Sequence, residues 1–396
     1  MSRALFLVVG LVAGCTFAPS GAGGDGDGDG DGDGDGDGDG DGGGDGASLG
    51  DAADGGVTDC RLGFVDLCSL GPPAPPMTVS GAETIDTDTD PRCTTLAQAG
   101  GPDGCLVWVE SLSIATGARL TGVGSRPLVL AARNSVRLDG VVDVASRRGQ
   151  PRGAGASSLP CAAQTVPEDD IGGAGGGAGG TFGTSGGNGG TGDTDVSLGA
   201  DGNAAPGLVT TVIVAPGFAR GGCRGQDGGD EGAGGGRGGV GGDSGGAVII
   251  ASFGDVQIGV TGQVLASGAG ASGGQVQAGG GGAGSGGYIG LEGDLVQIDG
   301  TLAANGGGGG GGGARVGGSP VTGGPGGDGS VGAAIAAGGT PAYDAAGGTG
   351  AASTGAATVG ASSIVGGGGG GGGLGVIAVR GPYTITGSTS PMPVSP

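Results

Sequence analysis

The sequence predicts an all-β protein. The expected fold is a right-handed parallel β-helix (β-solenoid) with long glycine-rich loop insertions, preceded by a disordered acidic N-terminal linker. Three observations predict it. Short aliphatic blocks with a period of two, Val136/Leu138, Val256/Ile258 and Val296/Ile298, recur in segments that can be laid over one another. Gly, Asp or Asn punctuates each block, so the chain keeps turning. Gly makes up 116 of 396 residues and is concentrated between those segments.

The chain starts MSRALFLVVGLVAGC, with Arg3 ahead of an apolar run from Ala4 to Ala13. That run is too short to span the ~30 Å of bilayer hydrocarbon as a helix, so residues 1–14 read as a signal peptide. Val12-Ala13-Gly14-Cys15 resembles a bacterial lipobox. The resemblance implies a diacylglycerol on the Cys15 thiol, cleavage after Gly14 and acylation of the new amino terminus. Several acyl chains at ~0.8 kcal/mol per buried CH₂ would hold the membrane stably. Thr16 in place of Asp is similar to lipoproteins sorted to the outer membrane.

Residues 15–56 are expected to form the lipidated Cys and a disordered tether. Nine aspartates alternate with Gly from Asp25 to Asp41. Repelling charges on a glycine chain extend it, with a reach of roughly 25–30 Å or more. Asp25-Gly-Asp27-Gly-Asp29-Gly30 matches half of an EF-hand loop, but no Glu follows at the twelfth position and no helices flank it. A solvated spacer with at most weak Ca²⁺ association is the expectation.

Apart from Cys15, the cysteines are Cys60, Cys68, Cys93, Cys105, Cys161 and Cys223. An even number on an exported chain suggests disulfides, and fifteen connectivities are open. Pairing of Cys60 with Cys68 and of Cys93 with Cys105 would close short loops in an N-terminal cap, residues 57–105. Cys161–Cys223 would staple a glycine-rich excursion.

The repeating segments fill residues 106–390. They are LVWVESLSIATGARLTGVG (106–124), PLVLAARNSVRLDGVVDVAS (127–146), AVIIASFGDVQIGVTGQVLASG (247–268), YIGLEGDLVQIDGTLAANG (288–306) and the weaker GVIAVRGPYTITGS (375–388). One segment cannot bury its own apolar face, but stacked copies bury each other's. The excursions 147–244, 269–285 and 307–373 all leave after the same strand, so they are expected on one side. Composition leaves open whether they are floppy or pack as polyglycine-type strands.

Composition also excludes chemistry. There is no His, all 15 basic residues are Arg, and the net charge is −23. Imidazole and amine bases are therefore absent, and nucleic acid is not an expected partner. Gly242-Asp243-Ser244-Gly245-Gly246 resembles the nucleophile loop of trypsin-like proteases, yet no base exists to activate Ser244. Gly183-Thr184-Ser185-Gly186-Gly187 matches a nucleophile elbow without its strand-to-helix setting. Adjacent acids outside the tether occur at Glu168-Asp169-Asp170 and Asp230-Glu231, within glycine-rich excursions. Asp139 and Asp299 share a repeat position beside Gly and read as turn residues. No catalytic residue, metal site or cofactor is expected.

The lipobox, the Gly/Asp spacer, the lead-in from Asp66 to Cys93 and the aliphatic repeats with glycine insertions together resemble glycine-rich lipoproteins common in myxobacteria. The glycine tracts are similar to PGRS-type surface proteins. The resemblance implies a cell-envelope location and transfers no activity. The expected function is non-enzymatic: an outer-membrane or cell-surface lipoprotein displaying glycine-rich loops for structural or adhesive purposes. Its partners would be the membrane through Cys15 and polysaccharide or extracellular matrix. A carbohydrate-binding or carbohydrate-active β-helix is the alternative.

Overall fold

Where the aliphatic blocks recur, the chain forms strands. The computed structural model describes residues 62–396, apart from 69, 158–160, 162–164, 196–202, 210–216, 233–234 and 354. The segments expected to be a signal peptide and an acidic tether, with Cys15 and Cys60, lie outside the described residues. Val57–Pro396 is a single unit.

The lead-in supplies β1 (Met77–Val79), β2 (Ala82–Asp86) and β3 (Thr94–Leu96). The first repeat supplies β4 (Gly104–Ile114) and β5 (Arg119–Val123), and the second β6 (Leu128–Leu138) and β7 (Val141–Asp143). Two full repeats follow: β8 (Ala247–Ser252), β9 (Val256–Ile258) and β10 (Gln263–Leu265), then β11 (Tyr288–Glu292), β12 (Val296–Ile298) and β13 (Thr301–Ala303). After a hairpin, β14 (Ala314–Val316) and β15 (Ser319–Val321), come β16 (Val376–Arg380), β17 (Tyr383–Ile385) and β18 (Ser388–Ser390). Among the described residues there is no helix.

The strands build two stacked sheets. The larger runs β16-β11-β8-β6-β9-β12-β17, with β4 beside β6 and with β1 and β3 against β4. The smaller runs β18-β13-β10-β7-β5-β2. Every pairing in both is parallel except β3 with β4. Equivalent residues of successive repeats stand in register: Val136 on Val256, Val256 on Val296, and Val296 on Tyr383. Leu138, Ile258, Ile298 and Ile385 form the next inward ladder, and Arg137, Gln257, Gln297 and Thr384 the outward row between them.

That alternation makes the core. Leu112, Ile114, Leu120, Leu138, Val142, Ile258, Val264, Ile298 and Leu302 are buried between the sheets. At ~1.5–3 kcal/mol for each fully buried aliphatic side chain, this interior is the main driving force for the stack. The outer face of the larger sheet is covered too. Val65 and Leu67 of the lead-in pack with Leu106, Val129, Ile249 and Tyr288. A parallel sheet covered on both faces reads as a continuous aliphatic run, as AVIIAS of β8 does. Beyond β16, the Val394 amide donates to the Ile377 carbonyl at 2.9 Å, covering that edge.

The expected right-handed β-helix with glycine-rich loops is corrected on two counts. No repeat from β6 onward closes into a coil of its own: the chain leaves β7, β10 or β13 of the smaller sheet and regains the larger sheet only after the long glycine-rich stretch. Those stretches are not loops either. Almost every glycine from 172 to 192, 221 to 246, 268 to 287 and 304 to 313 is buried or half-buried. They form a second packed body that continues the two stacked sheets.

Candidate functional site

The glycine body is built from extended runs whose amides bond to other runs. Run 278–287 shows the rule. The amides of Gly279, Gly282 and Ser285 donate to the carbonyls of Gly229, Gln226 and Cys223. Those of Gly280, Ala283 and Gly286 donate to Gly367, Gly370 and Gly373, and those of Gly281, Gly284 and Gly287 to Ser272, Ala269 and Ala266. Its carbonyls accept in the same rhythm, from Gly239 and Gly242, from Gly177 and Gly180, and from Gly310 and Gly307. Donors three residues apart therefore reach the same neighbour. That is the period of a three-residue-per-turn extended helix, which bonds to its neighbours and not to itself.

One run thus has six neighbours, three taking its protons and three giving theirs. The runs 304–313 and 366–375 are surrounded in the same way. Gly309 donates to Gly348, Gly310 to Gly281 and Gly311 to Gly324, while Gly369 donates to Gly310, Gly370 to Gly177 and Gly371 to Thr358. These three runs hold the longest glycine tracts in the chain. Their reason is space. A Cβ on Gly280, Gly309 or Gly369 would meet the carbonyl oxygen of Gly310, Gly369 or Gly281 well inside the 3.0 Å that real Cβ atoms keep. With neighbours on all six sides, most positions leave no room for a side chain, and run 278–287 carries only the small Ala278, Ala283 and Ser285, all buried.

Outer runs have an open side, and there every third residue carries a side chain. Run 236–246 places Arg237, Val240 and Asp243 at that spacing; Arg237 and Val240 are exposed, while most of the glycines between them are buried. Outward amides of this run are taken by acidic side chains. Asp230 Oδ1 accepts from Gly238 at 2.6 Å and Asp227 Oδ1 from Gly241 at 2.7 Å. One turn does require glycine's conformational freedom: Gly317 and Gly318, at φ 57° and 83°, join β14 to β15 as a two-residue hairpin.

The two groups of adjacent acids, residues 168–170 and 230–231, come together in the body. The Asp230 amide donates to Asp169 Oδ1 at 2.7 Å, and the Asp170 amide to the Asp230 carbonyl at 3.2 Å. Their carboxylates are engaged with backbone. Asp170 Oδ1 accepts from Gly172 at 2.6 Å, Glu168 Oε2 from Ala205 at 3.0 Å, and Glu231 Oε2 from Gly236 at 3.0 Å. Glu231 also accepts from Arg315 Nη2 at 3.4 Å. Asp139 lies 2.7 Å from Arg137 Nε, and Asp299 accepts from Thr386 Oγ1 at 2.5 Å, both beside turns. Among the described residues no group of three His, Cys, Asp or Glu side chains could hold a metal.

Ser244 of the GDSGG string is fully buried in the glycine body. Its Oγ accepts from the Ser157 amide at 2.9 Å, and its carbonyl accepts from Ser146 Oγ at 2.5 Å. Thr184 lies in the turn between runs 172–180 and 186–192, where its Oγ1 accepts from the Leu374 amide at 2.8 Å.

Two disulfides join described residues to each other, Cys93–Cys105 and Cys161–Cys223. Cys68 is disulfide-bonded as well, and Cys60 lies outside the described residues. Beside Cys161–Cys223, sequence reasoning missed a neighbour. Arg220 is buried in the run that holds Cys223, with Nη2 3.4 Å from Cys161 Sγ and 3.9 Å from Cys223 Sγ. Its Nε donates to the Gly221 carbonyl at 3.1 Å, and its guanidinium carbon stands 5.6 Å from the Phe182 ring centroid. Burial pulls its pKa down from the ordinary value.

Comparisons with protein-family models, with curated proteins and with solved structures give no match.

Proposed function

We propose that this chain is a non-enzymatic lipoprotein of the bacterial cell envelope. Lipidated Cys15 anchors it at the outer membrane, and the glycine body holds short turns rigidly outward for structural or adhesive contact with polysaccharide or extracellular matrix. One observation carries this reading: three glycine runs are enclosed on six sides, so the large and exposed side chains of this body stand on the outer runs and the turns. A body of that kind loses little by varying its turns and much by varying its interior. Ile171 and Tyr343 stand exposed at such turns, 57% and 58% accessible. Tyr is a favoured contact residue at binding surfaces. The acid pairs are used to close backbone amides, which fits a scaffold better than general acid–base work.

Two measurements test it. An epitope inserted between Gly317 and Gly318 is detected by antibody on intact cells; detection only after lysis removes surface display. The mature chain with Cys15→Ser, passed over a panel of polysaccharides, is retained without releasing product. Product release overturns the non-enzymatic reading and favours a carbohydrate-active protein.

A further inference from the structure

We propose that the Cys161–Cys223 disulfide is a thiol-exchange site, opened by an external thiolate at Cys161 and activated by Arg220. The geometry gives the two sulfurs unequal roles. Cys223 is buried at 2% exposure, whereas Cys161 is half-buried. Arg220 is 6% exposed, and no carboxylate among the described residues pairs with it. The groups its Nη2 reaches are the two disulfide sulfurs. A buried guanidinium without an anion is costly, and a thiolate formed beside it removes that cost.

The exchange balances as follows. The incoming thiolate attacks Cys161 Sγ and forms a new S–S bond there. The Cys161–Cys223 bond breaks, and its electron pair leaves on Cys223 Sγ as a thiolate beside Arg220 Nη2. A second external thiolate can then attack the mixed disulfide, freeing Cys161 and leaving the external pair oxidised. Such exchange speeds up as the leaving thiol becomes more acidic, and an adjacent cation makes it so. The other described disulfide lacks this arrangement. Cys105 is fully buried among the aliphatic side chains of the core, so its thiolate would leave into an apolar setting.

The test uses the purified mature chain and reduced glutathione, with timed alkylation and peptide mass mapping. The Cys161–Cys223 bridge opens at least ten times faster than Cys93–Cys105, and the first adduct sits on Cys161. Arg220→Gln slows opening about tenfold, while Arg220→Lys, which keeps a charge, stays within about threefold of the unsubstituted chain. Amide exchange in run 278–287 reports whether each variant is folded. Faster opening of Cys93–Cys105, a first adduct on Cys223, or equal rates for the folded Gln and Lys variants overturns the proposal. The ratio of the two bridges in the unsubstituted chain decides it even if Arg220→Gln does not fold.

Discussion

Gly280 lies so close to Gly310 that a methyl group on its α-carbon would overlap the Gly310 carbonyl oxygen. The Gly280 amide meanwhile donates to Gly367 at 2.8 Å on another side. Glycine is needed here for approach and not for an unusual φ. Other runs of the chain sit where a side chain would otherwise be.

Gly280→Ala and Gly369→Ala are therefore expected to destabilise the protein by ~3 kcal/mol each, the cost of overpacking against rigid backbone. Gly327 is the control, because the nearest atoms to a Cβ there lie at 3.5 Å, an ordinary contact. Gly327→Ala should stay within about 0.5 kcal/mol. Denaturant midpoints measure all three, and equal effects would show that the runs are not closely packed.

Hydrogen exchange separates a packed body from loops. Each amide from Gly279 to Gly287 donates to a neighbouring run, so these amides should exchange as slowly as those of the sheets. Gly317 and Gly318, at the hairpin tip, should exchange fast. Uniformly fast exchange through residues 279–287 would contradict the structure.

The sheets were largely legible in the sequence. The Val136, Val256 and Val296 blocks alternate with a period of two, and they pair in parallel and in register. The glycine body was only half legible. Arg237, Val240 and Asp243 recur every third residue, a period that matches neither strand nor α-helix, so no test for either finds it. The pure tracts carry no pattern at all, because backbone bonds alone specify their place and no side chain records the neighbour. The closure of each repeat through that body was hidden for the same reason. Arg220 could not be placed beside Cys161, 59 residues away, without the run that carries it.

The inward ladder should respond as a core. Ile298 is fully buried between Ile258 and Ile385, while Gln297 beside it faces outward. Ile298→Ala should cost 2–5 kcal/mol, roughly the range for buried aliphatic truncations. Gln297→Ala should cost no more than about 0.5 kcal/mol. Thermal unfolding of the two variants checks this, and comparable losses would place the core elsewhere.

Acid should weaken the lead-in through Asp88 and Asp90. The Ser125 hydroxyl donates to Asp88 Oδ1 at 2.6 Å and the Ser125 amide to Oδ2 at 2.8 Å, and these bonds, the hydroxyl's first, hold its pKa below the ordinary 3.8. Arg92 does the same for Asp90, with Nη2 2.7 Å from Oδ2. A carboxyl whose pKa is depressed in the folded state adds stability above its unfolded pKa and loses it as pH falls through the folded value. The loss should therefore begin near pH 4 and continue below it. Asp88→Asn, which cannot ionise, should lower the melting temperature slightly at pH 7 and flatten its fall between pH 4 and pH 2. Melting curves across that interval decide the matter: an acid limb as steep in the variant as in the unsubstituted chain would place the titrating group elsewhere.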